Sequence, residues 1–283
     1  MSDKFTLEVG KHGARLVLRS PWSNEIGSYI VQHKIKEVHL NYALGFKGKD
    51  LSFLKTVSHL IGLKIIHWTI EDISPIHDLH SLRYLEISTY CKTEVDFSQF
   101  PLLEECGLEW RPKAKSIFKS QGLKKLFLNK YSGRDTENFG NLLNLESLSI
   151  ANSPIEDIHG LRNLSKLKFL GLYNLRKLKT LSGIEQLIDL EELEVNGCRT
   201  LVSIKEVKHL INLKKLHFCD DGDIETMKPL GSLTQLEEVL FYDSTKIVDG
   251  DLSPLTKLKR LMNVSFQERP HYTHKRTDFQ RPK

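Results

Sequence analysis

One phrase governs this sequence. Leu145-Glu-Ser-Leu148-Ser-Ile150 returns as Leu167-Lys-Phe-Leu170-Gly-Leu172, as Leu190-Glu-Glu-Leu193-Glu-Val195, as Leu213-Lys-Lys-Leu216-His-Phe218 and as Leu236-Glu-Glu-Val239-Leu-Phe241. The intervals are 22, 23, 23 and 23 residues. A fixed period of this length predicts a solenoid with one short strand and one return turn per repeat. A single repeat cannot bury its own apolar side chains, so neighbours close a continuous core between them. The 283 residues, compatible by length with one or two domains, are therefore read as one elongated core.

The return half of each repeat has its own period. After Ile150, the apolar residues Ile155, Ile158, Leu161 and Leu164 recur every three positions. That spacing suits a 3-10 turn or short helix on the outer side. Narrow strands on one side and wider turns on the other predict an α/β solenoid: a curved horseshoe with a parallel sheet on its concave face. Earlier phrases start near Ile35, Leu63, Leu82, Leu103 and Leu123, at uneven gaps of 28, 19, 21 and 20, and a last one at Leu258 puts Arg260, Met262 and Val264 at its positions three, five and seven. Phe5 to Val9 and Arg15 to Arg19 read as a hairpin around Lys11-His12-Gly13, with Leu16 and Leu18 standing 22 residues before Val38 and Leu40. Ser23 is placed to cap a helix carrying Ile26, Tyr29 and Ile30. The expected layout is a hairpin and helix cap over 1–34, a solenoid over 35–266 and a basic tail over 267–283.

The net charge of +5 is concentrated in that tail. Arg269, Lys275, Arg276, Arg281 and Lys283 outnumber Glu268 and Asp278 there, leaving +2 for the rest. A basic pI of this origin argues little for a nucleic-acid surface. No apolar stretch approaches the ~18 residues of a membrane span. The first residues lack the apolar run of a secretory signal. Cys91, Cys106, Cys198 and Cys219 form no C-x-x-C pair and no terminal cysteine cap, which favours a reducing cytoplasm.

The phrase resembles the leucine-rich repeat family in its short, 22-residue form, seen in bacterial internalins and in the regulatory subunit of type-one protein phosphatase. Cys106 departs from the pattern by replacing an inward leucine. Position nine, often asparagine in the family, is Ser153, Cys198, Asp221 or Ser244. The resemblance covers residues ~14 to ~266 and implies a binding surface without naming a partner. The hairpin cap, single-domain layout and basic tail look like bacterial cytoplasmic members, some of which are encoded beside polymorphic toxins and act as immunity proteins.

In such a fold, phrase positions three, five and seven face outward from the strands. Read this way, the three columns hold seven glutamates against Lys125, Lys215 and Arg260, a net of −4. Aromatics stand among them. The candidate partner-binding residues are Tyr84, Glu105, Phe127, Phe169, Tyr173, Glu192, Glu194, Glu238 and Tyr242. Ser147, Ser149, Ala151 and Gly171 would leave a shallow pocket between Phe127 and the Phe169/Tyr173 pair. Acids on exposed strands also serve solubility, and cross-strand aromatics also stabilise sheets. The functional reading is a trap for a basic partner, with charge steering its approach and aromatics anchoring it.

Catalytic constellations are not legible. No G-x-S-x-G, H-E-x-x-H or phosphate-binding glycine loop occurs. His39, His67 and Glu86 fall in one predicted column where they could converge on zinc, without an evident fourth ligand. His271, Tyr272 and His274 in the tail are a second weak metal candidate. The expectation is a non-enzymatic binder with no metal or cofactor, no nucleic acid and no membrane. Its partner would be another protein, either a basic toxin domain that it neutralises or a cellular enzyme, such as a phosphatase, that it tethers or regulates.

Overall fold

The structure, a computed structural model, describes residues 3–279. It divides into two compact units, Met1–Leu126 and Phe127–Lys283.

Unit 1 opens with strands β1 (Phe5–Val9) and β2 (Ala14–Leu18), paired antiparallel as the hairpin pattern predicts. Helix α1 (Asn24–Gln32) follows, burying Ile26 and Ile30. Ser23 holds the N-cap position but its hydroxyl makes no cap bond; its carbonyl accepts from the Ile26 and Gly27 amides instead. Strands β3 (Glu37–Asn41), β4 (Gly62–Ile66), β5 (Tyr84–Ser88) and β6 (Glu105–Glu109) then stack in parallel on β2. Leu16 lies opposite Val38 and Leu18 opposite Leu40, in the register given by their 22-residue spacing. Cys106 points inward, as its phrase position requires.

Strand β7 (Lys125–Asn129) spans the division between the units. Unit 2 continues with β8 (Ser147–Ala151), β9 (Phe169–Tyr173), β10 (Glu192–Asn196) and β11 (Lys215–Cys219). A two-residue strand β12 (Asp223–Ile224) precedes β13 (Glu238–Phe241), and a matching strand β14 (Lys246–Ile247) pairs with β12. The short helix α2 (Ser253–Thr256) and β15 (Asn263–Phe266) complete it. Strands β8, β9, β10, β11, β13 and β15 pair in parallel in that order.

The return segments are the 3-10 turns expected from the three-residue apolar spacing. His159–Asn163 is one, with Ile155, Ile158, Leu161 and Leu164 all buried. Aspartates start several of these turns. Asp72 and Asp96 each accept from the amide and hydroxyl of a serine two residues on. Those bonds hold both carboxyls below their ordinary range. In unit 2 the residue just after a strand, at Lys130, Asn152, Asn174 and Asp220, and the second residue after β13, Asp243, take a positive φ. Asn and Asp tolerate that region better than most side chains. Their amides extend the ladder sideways: Asn174 donates to Asn152, which donates to Asn129.

The far end of unit 2 is closed by rings. Phe218, Phe241 and Phe266, each at phrase position six, stack with centroids 5.6 and 4.7 Å apart. Tyr272 meets Phe241 and Phe266 edge-on, and Phe279 is buried beside Phe266. Aromatic pairs of this kind add about 0.5–1.5 kcal/mol each beyond burial. The tail as far as Phe279 is thus packed against the last rung. Arg281 and Lys283, two of the tail's five basic residues, lie outside the described residues.

Candidate functional site

The register corrects the predicted face at two rungs. In β4 the outward residues are Gly62, Lys64 and Ile66, so Ile65 and His67 are core residues rather than members of the face. In the last rung Asn263 and Ser265 take the places predicted for Arg260 and Met262, and Val264 is buried. The proposed zinc column fails for this reason. His39 and Glu86 are separated by Lys64, while His67 packs against Tyr42 and Phe46. Burial, with the Lys64 charge, pushes His39 down to about 4, so it is neutral. Among the described residues no group of three or more His, Cys, Asp or Glu is placed to hold a metal ion.

In unit 1 the hairpin tip supplies much of the face. Glu37, predicted as exposed, is 1% exposed. Its carboxylate accepts from Arg15 Nη2 at 2.7 Å, Arg15 Nε at 2.9 Å and the His12 amide at 2.6 Å. This close approach needs Gly10 and Gly62, because a Cβ at either would strike the Glu37 side chain. The tip then reaches further. Lys11 Nζ pairs with Glu105 and lies 5.3 Å from the centre of the Tyr84 ring. Tyr84 and Glu105 are direct partners across β5 and β6. Two of the predicted partner-binding residues are therefore already engaged by the chain's own lysine.

In unit 2 the predicted residues are linked along the sheet. Phe169 lies directly across from Glu192, and Glu192 from Lys215, whose Nζ donates to it at 2.8 Å. Tyr173 Oη donates to Glu194 Oε2 at 2.5 Å. Burial first, then this bond and the glutamate charge, raise the Tyr173 hydroxyl above its ordinary range. His217 stands between Glu194, 3.7 Å from Nδ1, and Glu238, 2.6 Å from Nε2. Asn263 also donates to Glu238. Burial opposes ionisation of Glu238, but the Asn263 and His217 bonds outweigh it and hold the carboxyl low. Tyr242 follows β13 and donates to Ser265. Phe127 on β7 remains 44% exposed.

The pocket expected beside Gly171 is filled: a Cβ there would collide with the Tyr173 ring, which lies over the glycine. Ala151 is likewise buried. The surface of unit 2 is therefore a shallow relief of aromatic rings and paired acids. The sequence reading missed the cation partners. Lys11 and Lys64 each pair with a glutamate that the charge count treated as free, and His217 hydrogen-bonds another. For Lys64 and His217 a signal was present, in their positions opposite Glu86 and Glu194 on adjacent rungs; Lys11, on the hairpin turn, left none.

Comparisons with known proteins agree with this architecture. Residues 134–234 match the family model of the leucine-rich repeat domain of the endo-beta-N-acetylglucosaminidase EndoS. No curated protein matches the chain. Among solved structures, an internalin (inlF) from Listeria monocytogenes is similar at 21% identity, covering 90% of this chain and 87% of its own, with a TM-score of 0.59. The leucine-rich repeat domain of the type III effector XopL is similar at 18% identity over 79% and 72% of the two chains, with a TM-score of 0.50. Among the described residues no helix is long and apolar enough to cross a membrane. Repeat, register and structural likeness together give the chain the leucine-rich repeat fold.

Proposed function

We propose that the protein is a non-enzymatic binder whose partner protein docks on the strand face of unit 2, over Phe127, Phe169, Tyr173, Glu192, Glu194, Glu238 and Tyr242. The observation that carries this reading is the Phe169–Glu192 pair, an aromatic ring and a carboxylate side by side on rigid strands. Both side chains are partly exposed. An open ring beside a carboxylate suits a basic protein surface, since ring and charge contribute anchoring and steering respectively. The finer reading is an immunity protein that neutralises a basic toxin domain in a reducing cytoplasm. Support for the compartment comes from the thiols of Cys91, Cys106 and Cys198, which are unpaired and buried.

The experiment is affinity capture with the purified protein, followed by mass spectrometry. The expected result is one small basic protein whose toxicity the bait suppresses. Capture should fall by a hundredfold or so with Phe169→Ala plus Tyr173→Ala, on the scale of two anchor residues. Capture unchanged by that double variant, with its circular dichroism intact, would remove unit 2 as the docking face. Capture of a larger enzyme whose activity changes on binding would replace toxin neutralisation by regulation of that enzyme.

A further inference from the structure

We propose that the Phe169–Glu192 row seats a lysine side chain of the partner, presented on a tight turn. This rests on the reading of unit 2 as the docking face and names the chemistry that the face recognises.

The argument is an internal precedent. Unit 1 contains the row Tyr84, Glu105, Lys125, each the first residue of its strand, with Lys125 Nζ 3.6 Å from Glu105. Unit 2 contains the row Phe169, Glu192, Lys215, again each the first residue of its strand, with Lys215 Nζ 2.8 Å from Glu192. A tyrosine–glutamate bond also stands near each row: Tyr84 donates to Glu86 on its own strand and Tyr173 to Glu194 on the adjacent strand, both at 2.5 Å.

In unit 1 a second cation completes the row. Lys11, from the turn between β1 and β2, brings its ammonium to Glu105 and over the Tyr84 ring. An ammonium beside a carboxylate and above a ring gains from both the ion pair and the ring quadrupole. The Glu192 side chain keeps 37% of its surface exposed, against 20% for Glu105. Phe169 has the same negative ring face as Tyr84. The two rows thus offer an ammonium the same pair of partners, an aromatic ring face and a carboxylate. In unit 1 the chain fills the seat itself, and the ligand that fills it is a lysine on a four-residue turn, Gly10-Lys11-His12-Gly13.

The test uses that turn as the probe. A backbone-cyclised peptide of residues 5–18 is titrated into the full-length protein, with amide resonances followed by NMR. Cyclisation is needed because an isolated hairpin is marginal in water. Binding should be weak and saturable and should shift Phe169, Gly171 and Glu192. Glu192→Gln in the protein should weaken it about tenfold, equivalent to about 1.4 kcal/mol. Lys11→Met in the peptide should do the same, and the two changes together should cost little more than either alone. Absence of binding, shifts confined to other strands, or affinity indifferent to Glu192→Gln would each overturn the lysine seat. The two proposals fail separately. A captured partner lost with the Phe169/Tyr173 double variant but retained by Glu192→Gln sinks the seat and leaves the docking face. A partner retained by the double variant sinks the docking face itself.

Discussion

The same repeat is closed differently in the two units. Unit 1 covers part of its strand face with its own hairpin tip, placing Glu37 under Arg15 and the His12 amide and Glu105 under Lys11. Unit 2 pairs its face sideways, from rung to rung, through Glu192–Lys215 and Glu194–His217–Glu238. Their interiors differ as well. Unit 1 buries a cation, Arg111, whose guanidinium donates to the Thr89 hydroxyl and carbonyl and to the Cys91 carbonyl. Unit 2 buries an acid, Asp221, at the phrase position where the family often has asparagine. The difference teaches that the leucine phrase specifies the scaffold only. What each face can bind depends on whether its charges are satisfied by another segment or by the adjacent rung.

The sharpest way to break the comparison is Glu37→Ala. Removing this carboxylate leaves Arg15 and the His12 amide without their acceptor, a loss on the order of 3–5 kcal/mol for a buried ionic partner. Urea unfolding should show that loss, and amides from Gly10 to Arg15 should exchange much faster with solvent. A loss below about 1 kcal/mol, with hairpin exchange unchanged, would mean that β1–β2 pairing alone holds the tip.

That hairpin shows where the sequence is legible. The β1–β2 alternation and the 22-residue offset to β3 could be read directly, because both are periodicities of apolar residues. The placement of the turn on the face could not. It depends on Gly62, which looks like a loop residue in sequence but begins β4 and admits the Glu37 side chain. The two register errors have one physical cause. Leucines of the 3-10 turns recur every three residues, the same offset that separates the first two leucines of the phrase. Leu60 and Leu63, or Leu258 and Leu261, therefore compete as starting points. The strands select Leu60-Ile-Gly-Leu63-Lys-Ile65 and Leu261-Met-Asn-Val264-Ser-Phe266. Choosing the later or earlier leucine put His67 and Met262 on the face and left Lys64 and Ser265 off it. Where the 22–23-residue period is strict, in unit 2, Phe169, Tyr173, Glu192, Glu194 and Glu238 all take the outward positions read from the sequence. Their hydrogen-bond partners were not legible, since those depend on which rotamers adjacent rungs can share.

Asp221 tests the interior half of the comparison. Burial, reinforced by the Asp220 charge and opposed by the Cys198 amide, raises its carboxyl from 3.8 to about 7. One oxygen accepts from Cys198 at 2.7 Å; Oδ2 is buried without a hydrogen-bond partner. The folded state therefore holds the proton more tightly than the unfolded chain. The resulting stability is fully present below pH 3.8, declines as pH rises, and is gone above about 7. Asp221→Asn keeps the accepting oxygen and removes the titration. The variant's advantage over the parent should grow by about 3 kcal/mol from pH 4.5 to pH 7, at up to about 1.4 kcal/mol per pH unit, and level off above that. A parallel pH dependence of the two melting temperatures would show that Asp221 ionises in the fold without penalty.

The smallest effect separates a covering contact from a lateral one. Lys11→Met removes one ammonium from Glu105 but leaves Lys125 beside it and preserves an apolar stem over Tyr84. A partly exposed ion pair with a ring contribution is worth about 0.5–1 kcal/mol. Lys215→Met in unit 2 removes the single ion pair given to Glu192 among the described residues, across adjacent strands. That change should cost about 0.2–0.5 kcal/mol, because two long side chains on neighbouring rungs gain little from each other in water. Both losses should shrink above 0.5 M salt, since the screening length then falls below ~5 Å. A Lys11→Ala protein, which removes the stem as well as the ammonium, should also open Tyr84 and Glu105 to the cyclised 5–18 peptide, producing a second set of shifts in β5 and β6. If those strands stay silent while the Phe169–Glu192 row responds, the ring-and-carboxylate row is insufficient by itself. Lys11 would then be held in unit 1 by the geometry of its hairpin rather than by the chemistry of its seat.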